Sequence, residues 1–395
     1  MKKLDLSGQS AEAVAAIERM MTLYGDEMYM WLARLYDPHI GGFYYSNSAR
    51  DNERFLPDVE STAQALNGMR NHGLFEKYDG CVRDALPDEM RLAIIDFVCS
   101  LQDEDGFFYH PQWGKNIPVM RRGRDLSWSI SLLNTLGGEP VYPTAEEQIG
   151  CGEQVPDHLL SADAFLTYAR SHKQYIAGNM HHFVHVMNAQ MTEIRAAGLL
   201  PTLLELLDSE QKSDSGLWGK GVNYNSVTAL MKATLIYRFA GRLMNYADRA
   251  LESCIRVILS DEVATRIVDI TNPWVAIINL VDMVREVGDT ELADSFLSTV
   301  RAHTAELLDS TTEKLRIYSQ PDKSFSFLPE YTNPVSQNVP VALENEREGD
   351  INATLICYNG AKRILTLIGV PEPNFYGDDD YREFLRIISD TSART

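Results

Sequence analysis

Positive charge is what this chain most lacks: 36 lysines and arginines stand against 56 aspartates and glutamates, a net charge of −20 over 395 residues. Without a basic stripe there is no counterion release to drive binding to a phosphate backbone, which argues against a nucleic-acid partner. The same deficit disfavours anionic membrane surfaces. Long apolar runs are missing too; none reaches the roughly 18 residues of a membrane span, so no span is expected. No apolar stretch follows the lysines of Met1-Lys2-Lys3-Leu4-Asp5, so no signal peptide is expected. Cysteine is scarce, and Cys81, Cys99, Cys151, Cys254 and Cys357 form no CxxC pair. That pattern reads as reduced, cytoplasmic thiols rather than a disulfide framework or a zinc ribbon. With 45% apolar and 23% charged residues, wholesale disorder is excluded.

What the chain does have is helical periodicity. Apolar residues spaced three and four apart mark amphipathic helices over 11–36, 85–102, 157–175, 199–211, 244–260 and 290–315. Between them lies a second set, 60–72, 125–136, 180–197, 224–241, 273–287 and 351–368, apolar around most of the circumference, as buried helices are. The second set ends near Gly73, Gly137, Gly198, Gly241, Gly288 and Gly369, residues suited to C-caps or the turn that follows. Small-then-aromatic loops recur as Gly41-Gly42-Phe43-Tyr44, Asp105-Gly106-Phe107-Phe108, Ser215-Gly216-Leu217-Trp218 and Ser324-Phe325-Ser326-Phe327. Repetition at this period means stacked two-helix units. The alternation of amphipathic and wholly apolar helices predicts an all-α fold, an (α/α)6 toroid of six inner and six outer helices. It forms a single domain over 1–395, with a short C-terminal helix at 381–389. Asp378-Asp379-Asp380 reads as the N-terminal charge complement of that helix.

The segment Ile94-Ile95-Asp96-Phe97-Val98-Cys99-Ser100-Leu101-Gln102-Asp103-Glu104-Asp105-Gly106-Phe107-Phe108 resembles the repeat of protein prenyltransferase β-subunits and squalene cyclases. Gln211 to Trp218 is a looser copy, and Asp58-Val59-Glu60-Ser61-Thr62-Ala63-Gln64-Ala65-Leu66 resembles the start of an inner helix in that superfamily. The resemblance implies the terpenoid-cyclase type of α/α toroid. Its chemistry carries over incompletely: Asp350-Ile351-Asn352-Ala353 and Asp58-Val59-Glu60-Ser61 each leave the DxDD motif of protonating cyclases unfinished. Asp79-Gly80-Cys81 has the Asp-x-Cys spacing of prenyltransferase zinc sites but follows the first inner helix, so no metal is expected. Separately, Gly150-Cys151-Gly152-Glu153-Gln154 resembles the GCGEQ thioester of complement and alpha-macroglobulin proteins. In that family the motif opens an inner helix; here it precedes an outer one.

In such a ring the inner helix starts converge on one mouth, where partial positive charge and free N–H groups favour oxygen-rich ligands. The residues at those starts are Asp58 and Glu60; Arg122, Arg124, Asp125 and Trp128; His181, His182 and His185; Asn223, Tyr224 and Asn225; Asn272 and Trp274; and Glu348, Asp350 and Asn352. Carboxylates on different walls of one cavity suit acid–base work, because repulsion and burial keep one protonated while another stays ionised. Asp, Asn and Ser before an apolar run are also ordinary helix caps. His181 and His185 share one helical face at a spacing that can ligate metal, without the Glu of an HExxH motif. The run Arg121-Arg122-Gly123-Arg124-Asp125 suits either an anionic substrate group or surface ion pairs.

The leading expectation is an enzyme that uses carboxylate and histidine acid–base chemistry on a saccharide-like small-molecule substrate, as a hydrolase, lyase or epimerase. Asp350 and Glu60 would be acid and base, with His182 as an alternative base and Asp58 and Asp125 as further candidates. Arg122 and Arg124 would hold anionic groups; Trp128, Tyr224 and Trp274 would form platforms; His181, Asn225 and Asn352 would add contacts. No cofactor motif occurs, and none is expected. A carbocation cyclase and a non-enzymatic binding or thioester protein remain as alternatives.

Overall fold

Every wholly apolar stretch becomes helix, and its closing glycine takes the role its position implies. The six helices are Val59–Asn71, Val119–Leu136, Met180–Asn188 with Met191–Ala196, Tyr224–Phe239, Ile267–Glu286 and Ile351–Leu367; they are called here the first to the sixth apolar helix. Gly73, Gly137, Gly198, Gly241, Gly288 and Gly369 all have positive φ, between 63° and 94°. Only glycine reaches that region without steric cost, so each helix is stopped by backbone conformation rather than by a change of polarity. The structure, a computed structural model, describes residues 2–149, 156–171, 180–371 and 373–394. Among these the chain is all-α, with strand limited to two-residue hairpins at Tyr36–Asp37 with Gly42–Phe43 and Val335–Ser336 with Val339–Pro340.

The apolar helices pack in chain order. The first lies against the second, the third against the fourth, the fourth against the fifth and the fifth against the sixth. The sixth then packs back on the first. Among the described residues, the second and third are not a closely packed pair. Amphipathic helices pack against this set: Ala247–Leu259, Thr290–Ala302 and Thr304–Leu315 all lie on the fifth apolar helix. Ala11–Met21 lies against Thr304–Leu315, joining the N-terminal segment to the last third of the chain.

The aromatic loops are a repeated device. Gly41, Gly106 and Gly216 have φ of 84°, 79° and 68°, and the equivalent turn position in the last loop is Lys323 at 61°. A Cβ on Gly41 would stand 2.1 Å from the Ala93 carbonyl oxygen, and one on Gly216 would stand 2.4 Å from the Ala250 nitrogen. These two loops therefore press bare backbone onto the next amphipathic helix, whereas Gly106 meets the backbone of Pro143, Thr144 and Ala145.

Several predicted boundaries shift for local reasons. The 11–36 stretch is two helices, Ala11–Met21 and Glu27–Arg34, separated around Gly25. The 290–315 stretch divides at His303 into Thr290–Ala302 and Thr304–Leu315. In 157–175 the described helix is Ala162–Ser171, after a single 3-10 turn at Asp157–Leu159. The second apolar helix starts at Val119 rather than 125, which draws the basic run into the helix. The fifth starts at Ile267 rather than 273, because the Asp269 carboxylate accepts the Thr265 and Arg266 N–H groups and caps it early. Pro273 then sits inside the helix, where it forgoes one hydrogen bond to the Asp269 carbonyl. This 20-residue helix corrects the expectation about apolar runs: it is long and apolar enough to cross a membrane, but 72% of that stretch is buried inside the protein. The C-terminal helix runs Asp378–Arg394, with the three aspartates in its first turn.

Candidate ligand-binding site

The carboxylates expected at the helix starts are gathered there, but they are sealed. Asp58 caps the first apolar helix, accepting the Ser61 N–H at 2.9 Å and the Ser61 hydroxyl at 2.7 Å. Glu60, two residues on in the first turn, accepts Arg121 Nη1 at 3.1 Å and Arg124 Nε at 2.8 Å. Arg121 also binds Asp125 through Nε at 3.0 Å and lies 3.7 Å from Asp58. It is fully buried, with its guanidinium 4.4 Å from the centre of the Trp113 ring. Burial works against its charge, yet Asp58, Asp125 and Glu60 together outweigh that and raise its pKa. Three carboxylates share two guanidiniums, so one negative charge is left over in a desolvated place. Asp125 absorbs it: burial lifts its pKa to about 7 against the pull of Arg121. Beside it, His110 stacks on Trp113 and pairs its Nε2 with the Pro57 carbonyl at 2.9 Å. Burial lowers its pKa, so the ring is neutral, donating from Nε2 and accepting the Gln112 N–H at Nδ1.

Asp350 repeats the role of Asp58 at the sixth apolar helix. Its carboxylate accepts the Ala353 and Phe327 N–H groups at 2.8 and 3.0 Å, and Thr332 Oγ1 lies at 3.4 Å. Burial raises its pKa to about 6, opposed by these donors and by the Tyr45 hydroxyl. It is wholly buried. Neither Asp350 nor Asp58 lines a described cavity that could hold a ligand.

The remaining candidates disperse. Arg122 lies over the Phe107 ring at 4.6 Å and is absorbed by its loop. Trp274 is buried, its Nε1 donating to Thr311 Oγ1 at 2.9 Å, and Tyr224 is buried beneath Lys314. Trp218 likewise donates to the Leu207 carbonyl from inside the core. Of the three predicted platforms, only Trp128 reaches a cavity, because it lies half-exposed on the second helix's inward face. Asn225 is exposed outside it. His181 and His185 stack in parallel at 6.4 Å, and Lys232 Nζ sits 3.0 Å from His185 Nδ1, taking one of that ring's two ligating nitrogens. Burial, followed by Lys232, lowers both imidazoles, His181 to about 4. His182 is half-buried on the same helix. No group of three potential metal ligands occurs among the described residues. Cys151 and Gln154 of the GCGEQ segment lie outside the described residues.

The open space lies further along the helices. A cavity of about 480 Å³ is bounded by Gln64, Asn67, Trp128, Asn272, Asn352 and Asn359, with Thr271, Leu355, Arg70 and Arg363 among its other walls. Gln64 bridges it to the carboxylate cluster, donating to Asn352 Oδ1 at 3.1 Å and to Glu60 Oε1 at 3.4 Å. Its polar groups were visible in the sequence as stripes. Gln64, Asn67 and Asn71 are spaced three and four apart, as are Asn352, Ile356, Asn359 and Arg363, so each set shares one face of an otherwise apolar helix. Attention to helix starts alone misses all but Asn272 and Asn352. Through Arg70, Asn71, Asn359 and Arg363 this cavity adjoins a larger one of about 780 Å³.

No protein-family model, curated protein or solved structure matches this chain. The likeness to prenyltransferase and squalene-cyclase repeats therefore rests on the quoted segments alone, and the cavity lining carries the functional argument.

Proposed function

We propose that the chain is an (α/α)6 toroid whose central cavity binds a hydroxyl-rich small molecule of the saccharide class. The circuit of apolar helices, with the sixth returned to the first, supports the ring. One observation carries the ligand class: side-chain amides from the first, fifth and sixth apolar helices face one 480 Å³ space beside the half-exposed Trp128. An amide offers both donor and acceptor, which matches hydroxyls that are themselves both. An indole face covers the apolar side of a sugar ring. This lining favours a sugar over the apolar chamber a carbocation cyclase needs.

Glu60 supplies the acid–base group in this reading. It is the carboxylate bonded to the cavity wall through Gln64, and its partner Arg124 is 37% exposed. Glycoside hydrolysis needs two carboxylates, whereas the described lining contains none and Glu60 is buried behind Gln64. Binding, or single-proton abstraction in a lyase, fits the lining better than hydrolysis. Calorimetric titration with a panel of neutral and acidic mono- and oligosaccharides tests this against Trp128→Ala and Asn352→Ala. Binding weakened about tenfold in both variants supports the assignment. An absence of binding across the panel, or affinities that ignore both substitutions, overturns it.

A further inference from the structure

The larger cavity gathers what the chain is poorest in. Arg70, Arg285, Arg301, Lys362 and Arg363 converge on about 780 Å³ where the first, fifth and sixth apolar helices and Thr290–Ala302 approach their ends. One carboxylate, Asp282, shares the lining, and it stands 3.5 Å from Arg238 Nη1 outside the cavity wall. Lys362 Nζ donates to the Asn71 carbonyl and to Asn374 Oδ1. Among the described residues, none of the four arginines has a carboxylate within ion-pair distance.

A simpler explanation covers part of this. Cations in the last turn of a helix complement its negative end, and Arg70, Arg285 and Arg301 are so placed. Lys362 and Arg363 are not: they precede Leu367 by a turn or more. Dipole complementarity also gives no reason for the five to share one cavity, where they repel each other. In a protein of net charge −20, with acidic side chains in excess, these exposed guanidiniums share one carboxylate, Asp282, which acts on Arg363, and an anion entering the space would relieve their mutual repulsion. Guanidinium groups present forked donors that match phosphate oxygens, and several around one space fit a doubly charged group.

We propose that this vestibule binds the phosphate of a phosphorylated small molecule, held chiefly by Arg285, Arg301 and Arg363. Arg70 and Arg363 also line the amide cavity, so a phosphate in the vestibule places the rest of the ligand against Asn359 and Asn352. The anion site stands on its own lining; that the ligand is a sugar phosphate rests on the saccharide reading of the neighbouring cavity.

Calorimetric titration of the full chain with pyrophosphate, glucose 6-phosphate and glucose separates the two. Pyrophosphate should bind, more weakly as sodium chloride is raised, with affinity cut at least about tenfold in Arg285→Gln/Arg301→Gln. Both arginines are exposed at helix ends, and the single Arg301→Gln on an outer helix serves if the double variant unfolds. Trp128→Ala should leave pyrophosphate binding unchanged. Glucose 6-phosphate bound about tenfold tighter than glucose, with sensitivity to both sets of substitutions, supports a sugar phosphate spanning the two cavities. Pyrophosphate binding without any sugar preference keeps the anion site and overturns the saccharide reading. No pyrophosphate binding at about 1 mM and low salt, or binding indifferent to the arginine substitutions, overturns the proposal even where glucose binds.

Discussion

Asp58 and Asp350 hold the same place in two distant units. Each caps an apolar helix, accepting the N–H three residues on at 2.9 and 2.8 Å. Each gives its own backbone N–H to an aromatic-loop carbonyl, that of Phe43 or Phe325. Four residues after each, a threonine hydroxyl accepts the N–H of that same phenylalanine, Thr62 from Phe43 and Thr354 from Phe325, both at 2.9 Å. Loop and helix are thus locked in both directions, which explains why both aspartates are buried without any call on catalysis. Thr62→Val and Thr354→Val should each cost about 1–3 kcal/mol, the penalty of a buried N–H left without an acceptor. Urea denaturation reads it, with Thr366→Val, exposed in the last helical turn of the sixth apolar helix, expected within about 0.5 kcal/mol of wild type. Equal stability in all three variants would show that the lock contributes nothing.

The loop glycines make a second, separable prediction. Gly216 and Gly241 both have positive φ, 68° and 63°, so alanine strains each by about 1–2 kcal/mol. Only Gly216 also meets backbone: its Cβ would stand 2.4 Å from the Ala250 nitrogen and 2.5 Å from the Tyr246 carbonyl oxygen, whereas Gly241 has open space. Gly216→Ala should therefore lower the melting temperature clearly more than Gly241→Ala. Matching shifts would mean that conformation alone selects glycine in these loops.

Arg121 carries the burden of the carboxylate cluster. Replacing it with methionine leaves Asp58, Glu60 and Asp125 facing one another with only the half-exposed Arg124 nearby. Removing one partner of a buried ion network costs about 3–5 kcal/mol, so Arg121→Met should lose most of the margin of stability or fail to fold. Asp125→Asn, which keeps a polar partner for the guanidinium, should retain the fold. Circular dichroism melts compare the two, and an Arg121→Met variant as stable as Asp125→Asn would contradict the role given to this arginine.

How much of this the sequence disclosed depends on whether the signal was local. The closing glycines, the capping aspartates and the apolar helices follow from spacing within one segment, and the helical class with them. The polar stripes on the first and sixth apolar helices were equally local, but they run along the helices from near the start, and the helix starts alone disclose only Asn352 of them. Arg121 misleads because a basic run ordinarily means solvent; its burial depends on carboxylates 63 and 61 positions upstream, Asp58 and Glu60, and on Trp113 above it. The vestibule could not be read at all. Arg70, Arg285, Arg301 and Arg363 each look like an ordinary helix cation, and only the packing of four segments makes them one site.

The cluster's surplus charge sets a pH dependence with a definite sign. Burial raises the Asp125 pKa from its ordinary carboxylate value to about 7, so the folded protein holds a proton there that the unfolded chain has released. With more protons bound to the native state, stability falls as pH rises from about 4 to about 7, and the loss is complete above that. Asp350, raised to about 6 by burial, acts in the same direction over a narrower window. His72 and His181, lowered by burial to about 3 and about 4, act the other way below the ordinary histidine range. The raw profile therefore mixes opposing terms, and the comparison with Asp125→Asn isolates one of them. The substituted amide imitates the protonated carboxyl, so the variant should be weakest relative to wild type near pH 5 and gain on it towards pH 8. Chemical denaturation of both proteins across that range is the measurement. A difference that stays constant with pH, or that shrinks towards acid, would mean that Asp125 is ionised in the folded protein and that the leftover charge resides elsewhere.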